Sequence, residues 1–137
     1  MAKGSARLRA AAEAMRQFAF SLPGAWEDFP WDESVAKVGK KVFVFNIAPA
    51  DQVTDRLLFS VKLPESGEAA LSLPYTSPTG YGLGRGGWVT VDLDAGPDAD
   101  APPVDVFLDW IEESYRAVAL KKHVAELDAN PPATARR

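Results

Sequence analysis

Five basic side chains, Lys37, Lys40, Lys41, Lys62 and Arg85, have the type and spacing that could do chemistry, and that chemistry is the holding of phosphate. Lys40 and Lys41 follow Gly39 between two β-rich runs, Val35-Ala36-Lys37-Val38 and Lys41-Val42-Phe43-Val44-Phe45-Asn46-Ile47, so they fall at a hairpin tip. Lys37 lies across that turn from Lys41, and Lys62 joins them if its strand neighbours the hairpin. Arg85 is the one base in a glycine-rich loop from Gly80 to Gly87. The segment Gly82-Leu83-Gly84-Arg85-Gly86-Gly87 fits the letters G-x-G-x-x-G. A dinucleotide loop follows a strand and opens a helix, whereas this one leads into a strand, so the match is formal. A phosphate contact through its N–H groups and Arg85 stays open. So does a plainer role for the lysines, as solvated sheet edges that deter strand-to-strand aggregation.

Aromatic residues are the second chemical resource. Trp26, Trp31, Tyr75, Tyr81 and Trp88 have faces on which a base or ligand could stack. Tyr75 and Tyr81 flank the glycine loop and are expected to be exposed; with Trp88 they are the candidates for ligand or stacking contacts. The carboxylate pairs Glu27/Asp28, Asp32/Glu33 and Glu112/Glu113 are sequence neighbours with nothing to divide acid from base roles. There is no Cys, and His123 is the only His, which removes thiolate sites, two-His metal sites and a conventional His relay. The expectation is a protein that is not an enzyme and that uses no cofactor and no metal.

The chain has 137 residues, of which 47% are hydrophobic, with four Trp, enough for one domain with a sizeable core. Its net charge of −4 is uneven: residues 1–62 sum to +2 and residues 63–137 to −6. A duplex-binding surface needs a concentrated basic footprint, so here it could only be local. No apolar run approaches the roughly 20 residues that cross a bilayer, and Met1 to Ala6 leads into no signal-like apolar core. No membrane association and a cytoplasmic location are expected.

The elements that must position these residues follow from periodicity. Trp88-Val89-Thr90-Val91-Asp92-Leu93 alternates at period two, with Trp88, Thr90 and Asp92 on one face and Val89, Val91 and Leu93 on the other. Leu8, Ala12, Met15, Ala19 and Leu22 mark one face of a helix from about Ser5 to Ser21, stopped by Pro23-Gly24. Ala25 to Trp31 reads as an edge strand, and Leu57 to Leu63 as another strand. Phe43, Phe45 and Ile47 are expected on one side of their strand, with Val42 and Val44 on the other. Pro64 to Leu73 reads as a short helix and Tyr75 to Thr79 as turn chemistry. After an acidic, proline-rich connection, Phe107, Trp110, Ile111, Tyr115 and Val118 stripe a final helix, with Lys121 and Lys122 near its C-terminal end. The fold class is α+β: a mainly antiparallel sheet packed by N- and C-terminal helices, in the order α-β-β-β-β-α-β-α. Residues 1–6 are expected to be disordered, 7–127 to form a single α+β domain, and 128–137 to be a disordered tail. Leu8, Met15, Phe43, Phe59, Val91, Phe107, Ile111 and Tyr115 are the expected core.

Five blocks in order carry a resemblance: Leu22-Pro23-Gly24-Ala25, Phe29-Pro30-Trp31, Lys37-Val38-Gly39-Lys40-Lys41-Val42-Phe43, Gly87-Trp88-Val89-Thr90-Val91-Asp92-Leu93, and Trp110-Ile111-Glu112-Glu113-Ser114-Tyr115-Arg116-Ala117-Val118. Together they resemble the MmcQ/YjbR family, from about residue 8 to residue 123. The resemblance implies a YjbR-like α+β fold similar to the CyaY-like and secretion-chaperone-like architectures. It also implies a DNA-binding protein with a double-wing motif, which for this acidic chain means weak, mainly phosphate-directed contacts. The alternative class is an adaptor that binds a protein or small ligand with the sheet face or the loop from Gly80 to Gly87.

Overall fold

The computed structural model describes residues 3–95 and 102–131. Helix α1, Lys3–Ser21, buries Leu8, Ala12, Met15 and Ala19 to 3% exposure or less, because their spacing keeps them on one stripe. It starts inside the segment 1–6 that was expected to be disordered; residues 1–2 lie outside the described ones. Beyond α1, Gly24 takes a φ of +72°, and a Cβ added there would stand 2.6 Å from the His123 ring. Both the backbone angle and the close approach therefore require glycine.

Six strands make one sheet: β1 Ala25–Asp28, β2 Val35–Val38, β3 Lys41–Phe45, β4 Arg56–Lys62, β5 Thr76–Pro78 and β6 Trp88–Asp94, ordered β1-β2-β3-β4-β6-β5. Every neighbouring pair is antiparallel. Between β4 and β5 lies the single-turn helix α2, Gly67–Ala70, and after β6 come α3, Val104–Val118, and α4, Lys121–Ala129. This is the expected α+β sheet with N- and C-terminal helices. Part of the segment read as turn chemistry is a strand: β5 pairs with β6 at the sheet's edge, where Pro78 needs no partner for its missing N–H. The final helix is also two helices. The chain turns extended at Ala119 (φ −70°, ψ 150°), so Lys121 and Lys122 open α4 instead of closing α3. Helix α4 runs to Ala129, into the segment expected to be a tail; 132–137 lie outside the described residues.

Helices α1 and α3 cover one sheet face. The eight expected core residues are all 3% exposed or less, with edge-on ring pairs at 5.3 Å (Phe43–Tyr115) and 5.1 Å (Phe59–Phe107). The expected facing of β3 fails at one place. Ala36 pairs with Val44 but Lys37 pairs with Val42, a bulge that slips the alternation by one residue. Phe43 and Val44 are consequently both fully buried, and Phe45 turns to the opposite face, where its ring meets Trp88 at 4.9 Å.

Two polar ties lock helices to sheet. The buried Ser114 hydroxyl accepts the Lys62 N–H at 2.8 Å and donates to the Phe43 carbonyl at 2.6 Å. Arg16 of α1 holds Glu27 with two hydrogen bonds, of 2.8 and 3.1 Å, and donates to the Ile47 carbonyl at 2.6 Å. The Arg16 guanidinium is the largest influence on Glu27 and, with the Ser34 hydroxyl, keeps its carboxyl below the ordinary value of 4.5. Among the described residues, no helix is long and apolar enough to cross a membrane.

Candidate nucleic-acid interface

Strand order gathers cations at one end of the sheet. Val38 pairs with Lys41, which puts Gly39, Lys40 and Lys41 at the β2–β3 tip, with Gly39 supplying the turn's φ of +61°. Strand β4 runs antiparallel to β3 through Val44↔Val61, so it ends, at Lys62, beside that tip. Lys62 pairs with Trp88, the first residue of β6, and the loop carrying Arg85 therefore emerges at the same end. Neighbouring strands are about 4.8 Å apart, so the two loops stand on the order of 10 Å apart across β3, β4 and β6.

The helices add to this end. Ser114 bridges Lys62 and Phe43, the Tyr115 hydroxyl donates to the Pro23 carbonyl at 2.5 Å, and the His123 ring lies on Gly24. These contacts bring the α3–α4 junction, with exposed Lys121 and Lys122, to the same end. Among the described residues, Lys40, Lys41, Lys62, Arg85, Lys121 and Lys122 enter no ion pair, and all but the half-buried Lys62 are exposed. Nearby acids are partly engaged. Glu113 accepts the N–H groups of Glu65 and Ser66 at 2.9 and 3.0 Å and the Ser66 hydroxyl at 2.6 Å, and Glu112 pairs with Arg116 at 3.0 Å. Glu65 and Glu68 remain exposed beyond Lys62.

Lys37 has a different fate. Its Nζ is 3.1 Å from Asp28 Oδ2 and 5.0 Å from the Trp26 ring centre. Asp28 is held below its ordinary value first by Lys37 and then by the Phe29 N–H. The glycine loop forms the turn of the β5–β6 hairpin, with a 3-10 segment at Leu83–Gly86. The N–H groups of Leu83, Gly84, Arg85 and Gly87 all donate to carbonyls within the loop or its flank. A phosphate there would meet the Arg85 side chain, not a cradle of those four amides.

Among the aromatics, Tyr75 corrects the expectation of exposure. It is half-buried edge-on to Phe107 at 6.3 Å, and burial raises its hydroxyl pKa. Tyr81 is fully exposed, at a φ of +59°. Trp88 lies half-buried on the open face with Phe45, beside a hydroxyl row in which Thr90 meets Ser60 at 2.8 Å and Thr79 at 2.9 Å. Trp26 stays 44% exposed, its indole N–H donating to the Gly39 carbonyl at 2.9 Å. The Trp31 side chain lies outside the described residues. Sequence reasoning did not assign Lys121 and Lys122 to this region, and no local signal marks the helix break that puts them there. A family model described as YjbR matches residues 20–117. No curated protein matches the chain.

Proposed function

This chain belongs to the YjbR family, and from that premise we propose that it is a non-enzymatic DNA-binding module that meets phosphates with the cationic end of its sheet. The observation that carries the reading is the convergence, through the order β3-β4-β6 and the α3–α4 junction, of Lys40, Lys41, Lys62, Arg85, Lys121 and Lys122, none of them neutralised within the described residues. Two loop tips and a helix junction present ammonium and guanidinium groups, which suits backbone contacts that fix position without reading bases. The net charge of −4 opposes approach to DNA, so binding is weak, sequence-independent and steeply dependent on salt. The test is fluorescence anisotropy with the double variant Lys40→Glu and Lys41→Glu. Affinity for DNA at low salt should fall by about tenfold or more; unchanged affinity sinks the reading.

One observation favours a second reading, an adaptor for a protein partner. The sheet face away from α1 and α3 presents Trp26, Leu58, Phe45 and Trp88. Apolar surface of this kind suits protein contacts. Binding by that face would persist at high salt, which separates the two readings.

A further inference from the structure

We infer that the indole of Trp26 is a stacking platform for an unpaired base, so that the ligand of the cationic sheet end is a single-stranded nucleic acid in preference to a duplex. The inference rests on the phosphate-binding reading and narrows its substrate class. Trp26 lies on the edge strand β1, paired in register with Lys37, and is 44% exposed. Its ring is nevertheless fixed. The indole N–H donates to the Gly39 carbonyl at 2.9 Å, and the Lys37 ammonium lies 5.0 Å from the ring centre, itself anchored on Asp28 at 3.1 Å. A ring already held in place loses little side-chain freedom when a ligand settles on it. The carbonyl that holds the indole belongs to the residue before Lys40 and Lys41, whose ammonium groups are exposed and unpaired among the described residues. One hairpin tip thus supplies both a flat apolar surface for a base and two cations for the phosphates flanking it. The Asp28 carboxylate beside the ring is compensated by Lys37. In a duplex the base faces are hidden in the stack, and only a single strand can offer one to an exposed side chain. An acidic peptide could satisfy the lysines but has no planar ring that requires the indole.

Anisotropy at one salt concentration, with a labelled oligo-dT, a duplex of equal length and a labelled poly-glutamate, separates the cases. The oligo-dT should bind more tightly than the duplex. Trp26→Leu should weaken oligo-dT binding by roughly five- to 150-fold, the loss of one stacked base, while leaving duplex binding unchanged, which also shows that the variant is folded. Trp26→Phe, which keeps a stacking face, should retain most of the oligo-dT affinity. A duplex bound as tightly as the single strand, or a Trp26→Leu loss equal on both, overturns the stacking role while phosphate binding stands. Poly-glutamate bound as tightly as oligo-dT overturns it in favour of an acidic protein partner. No binding to either nucleic acid removes the phosphate-binding reading along with it.

Discussion

Against α1 and α3 the sheet buries Phe43, Phe59, Val61, Val89 and Val91 to 1% exposure or less, and Ser114, the hydroxyl buried among them, has partners for both its donor and its acceptor. At the hairpin end of the same sheet, Lys40, Lys41 and Arg85 project into solvent with no ion pair among the described residues, and Trp26 keeps 44% of its surface exposed. The first region is complete within the chain, so changes there should alter stability. The second, on the function proposed above, is completed by a ligand outside the chain, so changes there should alter binding and leave stability nearly untouched.

The sharpest attempt to break that division is Phe107→Ala. This fully buried ring packs against Phe59 at 5.1 Å and Trp110 at 5.7 Å. Its truncation should lower unfolding free energy by about 3–5 kcal/mol in denaturant titrations. Next is Arg16→Ala, which leaves Glu27 and the Ile47 carbonyl without their charged donor and should cost about 1.5–3 kcal/mol by the same measurement. Because folding lowers the Glu27 pKa below 4.5, its contribution is fully present above that value. It fades as pH falls below 4.5 through the folded-state value. Wild-type stability should therefore decline more steeply below pH 4.5 than that of Glu27→Gln; parallel curves would remove the pair from the account. Smaller again, Ser114→Ala should cost about 1–3 kcal/mol, because it strands the Lys62 N–H and the Phe43 carbonyl in the core. A decline in nucleic-acid binding beyond that expected from unfolding would show that the two regions are coupled through Ser114.

The covered region was the more legible of the two. Helical spacing marked α1 and α3, and strict alternation marked β6, because burial of one face imposes period on sequence. The failures lie where tertiary contacts overrule local pattern. The bulge at Phe43 and Val44 carries neither Gly nor Pro, and its signal is only two large apolar residues in succession. The break after Val118 also lacks a helix breaker; Tyr115 on Pro23 and His123 on Gly24 hold the new direction instead. The glycine loop that Tyr75 flanks points to exposure, yet Phe107 comes from a distant helix to cover it. At the candidate site, the hairpin tip with Lys40 and Lys41 was readable from Gly39 between two β-rich runs. That Lys62 joins it depends on β4 pairing with β3, and that Arg85 joins it depends on β6 pairing with β4, long-range choices that no local spacing encodes.

That the cations at one sheet end hold phosphates is tested most directly by the salt dependence of DNA affinity for the unaltered protein. With three to six phosphate contacts, a plot of log K against log salt should have a slope between about −2.7 and −5.4, at −0.9 per contact. A slope flatter than about −1, or no binding at low salt, would contradict the claim.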